Sequence, residues 1–303
     1  MREVRIKGLE IKVPEGSPFT YETPDYMMKA HTNTLIVAPR GQGKTTFAVN
    51  MIERMPYDIK LVISPSMASN KLLMDKLQLL PENIFEDVND ITILDKIKAI
   101  IEKERDDLEE YLIKKKHYKE LMKRLADDNI FSIPDELLMM FYRNGGFEPP
   151  QHKWGGRRPC IAVIFDDCLG SQLFTKGIRK LNQLVIYHRH LGQLKEGGSL
   201  GCSLYFLVQS WKAQSGGISK CIRGNTTCLA IGRTKSQKEL DDISEECGAE
   251  ISKEQFMKVH QQATKDSKFD FLTIDFFKKE GVHPSMFRKN LDTFIIPEEE
   301  KEP

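Results

Sequence analysis

Short apolar runs recur along the chain, at residues 35–37 (LIV), 59–64 (IKLVIS), 160–165 (CIAVIF), 202–208 (CSLYFLV) and 226–231 (TTCLAI). They are apolar almost throughout rather than alternating, as expected of parallel strands buried on both faces. Helical spacing separates them, after residue 43, over 172–191 and over 236–246 and 253–260. The alternation of strand and helix predicts an α/β fold with a mostly parallel central sheet and helices on both faces. Residues 2–13 (REVRIKGLEIKV) alternate charged and aliphatic positions and predict an amphipathic hairpin or edge strand. A helix-like turn is expected at 218–223 and an exposed strand at 269–274.

Between residues 69 and 158 the pattern changes. Over 91–128, Leu94, Ile97, Ile101, Leu108, Tyr111, Tyr118, Met122 and Leu125 fall close to a seven-residue repeat. Acidic residues lead (Glu102, Glu104, Asp106, Asp107) and basic ones trail (Lys114, Lys115, Lys116, Lys119), which suits a long helix. Such a helix is either an inserted arm that touches a partner or DNA, or an amphipathic helix packed on the edge of the core. Gly and Pro in 144–158 (NGGFEPPQHKWGGRR) suggest a linker back to the core. The expected organisation is an N-terminal extension (1–30), a core in two pieces (31–68 and 159–296), a helical insertion with its linker (69–158) and a disordered tail (297–303).

Composition narrows the class. A chain of 303 residues with 40% hydrophobic content can bury one large core or two modest ones. No apolar run reaches the roughly 18 residues of a membrane span, and none is expected. The six cysteines lack paired metal spacing and read as reduced thiols of a cytosolic protein. A net charge of +1 gives no global basic field, so nucleic acid would have to meet local patches such as Lys176, Arg179, Lys180, Lys195, Lys212, Lys220, Arg233 and Lys235.

The chemistry starts at the end of the first strand. Ala38, Pro39, Arg40, Gly41, Gln42, Gly43, Lys44, Thr45 and Thr46 form a phosphate-binding loop signature with Ala in place of its first Gly, between a strand and a helix. Gly41 and Gly43 let the backbone approach a phosphate, Lys44 neutralises the β- and γ-phosphates of ATP, and the Thr45 hydroxyl is placed for Mg²⁺. Residues 161–167 (IAVIFDD) end a second strand in two carboxylates; Asp166 would hold Mg²⁺ and Asp167 would act as base for the attacking water. Gln209, ending a later strand, would face the γ-phosphate, or else be a surface amide. Arg189, on a helix-to-strand connection, is a candidate for an arginine supplied to a neighbouring subunit, or a solvated charge. His188 and His190 have no third partner for a metal. A nucleotide kinase and a non-enzymatic protein whose nucleotide locks an assembly share the loop and stay open. A GTPase lacks its guanine-reading motif here.

With these stretches in hand, the sequence resembles the poxvirus-type genome-packaging ATPases of large DNA viruses, a branch of the FtsK/HerA superfamily. The resemblance rests on LIVAPRGQGKTT, VISPSMASN, IAVIFDDCLG, HRHLG followed by SLYFLVQSW, and IRGNTTCLAIGRT. It covers residues 33 to about 66 and about 159 to 275. It implies a RecA-like core and a homo-oligomeric ring, pentamer or hexamer, that hydrolyses ATP to pump double-stranded DNA into a capsid. A capsid or vertex protein would be its partner, and the host cytoplasm or the virion its location. Arg189 then matches the family's arginine finger, Gln209 its sensor, and Arg223 a second intersubunit position.

Overall fold

In the computed structural model the apolar runs all become strands. The structure describes residues 21–66, 71–126, 133–143, 148–212, 217–234, 236–247 and 251–297. The 2–13 hairpin and the tail beyond Pro297 expected from the sequence lie outside them. Strands β1 (Asn33–Val37), β2 (Ile59–Ile63), β4 (Ile161–Asp166), β5 (Ser203–Val208) and β6 (Cys228–Ile231) are joined by β3 (Ile84–Phe85), β7 (Leu272–Asp275), β8 (Phe287–Lys289) and β9 (Thr293–Ile295). Together they form one nine-stranded sheet in the order β3-β2-β4-β5-β1-β6-β7-β8-β9. Pairing is parallel from β3 to β6 and antiparallel from β6 to β9.

Successive side chains of a strand point to opposite faces, and the two faces pack against different helices. One carries Leu35, Val37, Val163, Phe165, Leu204 and Phe206 against α5 (Ile178–Tyr187), α7 (Gln237–Cys247) and α8 (Lys253–Thr264). The other carries Ile36, Ala162, Ile164, Tyr205, Leu207 and Ala230 and packs with α1 (Lys44–Glu53). Burial of Phe47, Ala48, Val49, Met51 and Ile52 holds α1, which carries the glycine loop at its start, on that face.

The strand expected at 269–274 as exposed is a buried one. All of β7 is buried, because β6 and β8 bond it on both sides, and only Phe269, ahead of it, is exposed. Strands β3, β8 and β9 have no counterpart in the sequence pattern; at two or three residues they carry no periodicity and exist by pairing with neighbours.

The long helix is α3 (Ile93–Ala126). Its first half belongs to the main core: Ile93, Leu94, Ile97, Ile101 and Leu108 pack in the same cluster as the sheet. Glu104 is buried there, and Lys153 and the Trp154 indole N–H (2.9 Å) meet its carboxylate. The second half leaves the core and shares a separate small cluster, centred on Leu121 and Ile133, with α4 (Asp135–Arg143).

Candidate active site

Three strand ends lie level at the carboxyl edge of the sheet. Strand β5 runs between β1 and β4, with Val208 beside Val37 and Leu207 beside Asp166. The residues that follow these strands therefore meet.

After β1 the chain turns through Gly41 and Gly43, with φ of 79° and 77°. Glycine adopts this left-handed conformation without the steric cost of a Cβ. Gly43 is the N-cap of α1; no side chain caps the helix and its first turn has no acidic residue. Its leading amides and positive dipole end are thus left facing the cleft, the arrangement that binds anions. The loop is braced from the side. Gln42 Nε2 donates to the Arg233 carbonyl at 2.6 Å, and Gly232 lies so close that a Cβ there would come within 2.6 Å of the Ala38 Cβ. The Arg233 guanidinium is itself held by the Thr264 and Lys265 carbonyls. Sequence reading missed this brace; its only signal is a glycine directly after the β6 run.

Thr45 Oγ1 donates to Asp166 Oδ2 at 3.1 Å. Asp166 is 7% exposed, and burial raises its pKa; the Thr45 hydrogen bond and Lys44 oppose that shift while Asp167 adds to it. A hydroxyl and a buried carboxylate at one point are hard oxygen donors, the chemistry Mg²⁺ prefers. Lys44 Nζ donates to the carbonyls of Ala38 (2.8 Å) and Pro39 (3.3 Å). Burial lowers the Lys44 pKa, against the pull of Asp166 and Asp167.

Asp167 stands just past β4 with φ of 54°, a left-handed residue that is not glycine. That backbone turn swings its carboxylate toward β5, where Gln209 Nε2 donates to Oδ1 at 3.0 Å. Arg40, Lys44, Thr45, Asp166, Asp167 and Gln209 together line a cleft of about 320 Å³. Ser66, which follows β2, completes it and was not foreseen from the sequence.

Arg223 and Arg189, expected to act between subunits, lie outside this cleft. Arg223, on the short helix α6 (Lys220–Gly224), is tied within its own chain: Nε donates to Glu246 at 2.8 Å and Nη1 to the Ile218 carbonyl at 2.6 Å, and the guanidinium lies 5.7 Å from the Trp211 ring centroid. An intersubunit contact through Arg223 would have to displace these bonds. Arg189 lies in the single turn His188–His190 at the opposite, amino edge of the sheet, exposed and with no side-chain partner among the described residues. The candidate DNA contacts divide in the same way. Lys180, Lys195 and Lys212 are paired with Asp95, Glu109 and Asp242, whereas Lys176, Arg179 and Lys220 have no ion pair among the described residues; Lys235 lies outside them.

His188 anchors the Arg189 turn. It is buried and its Nδ1 donates to the Cys202 carbonyl at 2.7 Å. Burial pushes its pKa down to about 4, helped by Arg189 and His190 and opposed by that hydrogen bond. The folded-state value lies below the unfolded one, so the unfolded chain takes up the proton first as pH falls. Stability from this group is full above about pH 6.5 and declines toward pH 4, by about 3 kcal/mol at the limit. Urea unfolding between pH 7 and 4.5 should show this decline, and His188→Asn should remove its share, leaving that of buried His31, whose pKa is likewise lowered to about 4.

No protein-family model and no curated protein sequence matches the chain. Among solved structures, the genome packaging NTPase B204 of Sulfolobus turreted icosahedral virus 2 with sulfate is similar at 10% identity and a TM-score of 0.43, over 81% of this chain and 91% of that one. B204 of Sulfolobus turreted icosahedral virus, a DNA-packaging ATPase, is similar at 12% identity and a TM-score of 0.41, over 86% and 98%. The cytoplasmic domain of the Thermomonospora curvata type VII secretion ATPase EccC is similar at 12% identity and a TM-score of 0.37, over 81% of this chain and 24% of that one. The α/β fold class itself stands on the nine-stranded sheet described above.

Proposed function

We propose that this chain is an ATP-hydrolysing motor of the FtsK/HerA class, of the poxvirus-type genome-packaging branch, that drives double-stranded DNA into a viral capsid. The observation that carries the proposal is the convergence of Lys44, Thr45, Asp166, Asp167 and Gln209 on one cleft, with β5 between β1 and β4. The loop amides and Lys44 hold the triphosphate, and Lys44 exchanges the Ala38 and Pro39 carbonyls for phosphate oxygens. Thr45 and Asp166 would hold Mg²⁺, which when bound neutralises charge on the β- and γ-phosphates. Asp167 accepts a proton from water as the water oxygen bonds to the γ-phosphorus and the bridge to ADP breaks. Gln209, already bonded to Asp167, positions that carboxylate and senses loss of the γ-phosphate.

The motor works as a homo-oligomeric ring, pentamer or hexamer, in which Arg189 reaches the cleft of the adjacent subunit. Its unpaired exposure at the amino edge, away from its own cleft, supports a role in trans. Of the candidate DNA contacts, Lys176, Arg179 and Lys220 have no ion pair among the described residues and are free to meet DNA phosphates, a contact that would be independent of sequence and weakened by salt. The 69–158 stretch is read as an insertion whose β3 joins the sheet and whose α3 packs on the core through its first half. The site of action is viral assembly in the host cytoplasm, with a capsid or vertex protein as partner.

The test is ATPase turnover with and without double-stranded DNA, together with the mass of the assembly in nucleotide. Turnover raised by DNA in a ring-sized assembly is expected; hydrolysis indifferent to DNA would leave an ATPase but remove the motor. Arg189→Ala chains mixed into wild type should depress activity more steeply than dilution. A proportional loss would place Arg189 within one chain or outside the mechanism.

A further inference from the structure

The phosphate cleft opens into a larger cavity. Gly43 and Thr46 line both, and beyond them a space of about 860 Å³ continues between the start of α1, Met27 and the 269–294 segment. A triphosphate lying along the loop would leave its sugar and base on this side.

The cavity is walled by Phe47, Phe269 and Phe294. Phe269 is 54% exposed, with the Lys268 ammonium 4.8 Å from its ring centroid. It crosses the cap of α1, since a Cβ on Gly43 would come within 3.2 Å of its Cδ1. By contrast, of the polar side chains around the space Asn290, Asp270, Asn50 and Arg288 are committed to the protein, while Arg54 and Asp292 stand exposed at its rim. The Asn290 amide accepts from the Phe271 N–H (2.9 Å) and donates to Asp270 (3.1 Å). Asp270 also accepts from the Ser267 N–H at 2.9 Å. Asn50 Nδ2 donates to the Thr46 carbonyl at 2.9 Å. Buried Arg288 uses one terminal nitrogen on the Tyr26 carbonyl and the other on His283, and it lies 4.4 Å from the Phe294 ring centroid. Only its Nε is left without a partner among the described residues.

A pocket of this kind recognises the face of a flat ring and hardly reads its edge, because polar groups at an exposed rim stay hydrated whichever ring is bound. Strong discrimination between rings needs polar groups that only the right ring can satisfy. The Arg288 Nε is itself buried and offers no donor to either ring. We propose that the cavity holds the purine of a bound nucleoside triphosphate, stacked on Phe269, and that the site takes ATP and GTP alike. The proposal rests on the phosphate-cleft function above.

The test is displacement of a ribose-labelled fluorescent ATP by unlabelled ATP, GTP and inorganic tripolyphosphate, on the full chain and on Phe269→Ala and Phe269→Tyr. ATP and GTP should compete within about threefold of each other, and Phe269→Ala should weaken both by about tenfold, with tripolyphosphate unaffected and Phe269→Tyr close to wild type. An ATP–GTP gap beyond about 100-fold, the mark of edge readout, would overturn the proposal. So would ATP affinity untouched by Phe269→Ala, or tripolyphosphate affinity falling with it, which would place the effect on the loop through Gly43. Failure of tripolyphosphate to compete with the wild-type chain would instead remove the phosphate-cleft function itself.

Discussion

Lys44→Met should lower nucleotide turnover by about 10³-fold or more while leaving the fold intact. The ammonium is the cation set to meet the β- and γ-phosphates, and the neutral thioether cannot replace its charge. In the protein alone the same ammonium is half-buried, with a pKa lowered by that burial, and is held by carbonyls rather than by a carboxylate. Its loss should therefore move stability by no more than about 1 kcal/mol. The two effects separate in one thermal-shift experiment. Wild type should gain about 2.7 kcal/mol at a hundredfold excess of nucleotide over its dissociation constant, whereas the variant melts unchanged with or without nucleotide. Turnover that survived the substitution would sink the catalytic assignment.

The second large effect is expected at Asp167. Replacement by Asn keeps the shape and tolerates the positive φ of 54°, because Asn enters the left-handed region more readily than most residues. It removes only the capacity to accept a proton, and turnover should fall by about 10²- to 10⁴-fold with nucleotide affinity retained. Asp167→Ala would add a backbone penalty of about 1 kcal/mol, and a melting curve would register it. Comparable turnover in the wild type and Asp167→Asn would assign the proton to another acceptor. Gln209→Ala, which frees the carboxylate from its 3.0 Å hydrogen bond, should have the smaller effect of the two.

The parallel part of the sheet was legible because burial on both faces demands continuous apolar residues, and β1, β2, β4, β5 and β6 each carry such a run. The antiparallel extension was not. Strands β8 and β9 are three residues each, too short for a period, and β7 reads as exposed until a partner on its far side is known. Within the cleft, Lys44, Thr45, Asp166 and Asp167 could be named from strand-end chemistry, since a residue following a buried parallel strand has few places to go. The contacts that hold them were out of reach. Gln42 and Arg233 are 191 positions apart, and no local pattern announces their bond. Sequence also treats Arg189 and Arg223 as the same kind of residue. Only the fold separates the arginine committed to Glu246 and Trp211 from the one with its guanidinium in solvent.

Strand β5 has a mechanical consequence for a ring. Its last residue is followed by Gln209 at the phosphate side, and its first is preceded by Cys202, whose carbonyl is gripped by His188 next to Arg189. At about 3.3 Å per residue it is a strut of about 20 Å, bonded along its length to β1 and β4 and so unable to stretch or buckle. A push delivered at Gln209 when the γ-phosphate departs would be shared with β1 and β4, so the phosphate edge and the Arg189 edge would move together as parts of one sheet. In the proposed ring, one subunit's hydrolysis would in this way shift its own Arg189 edge, giving firing an order without any separate signalling element.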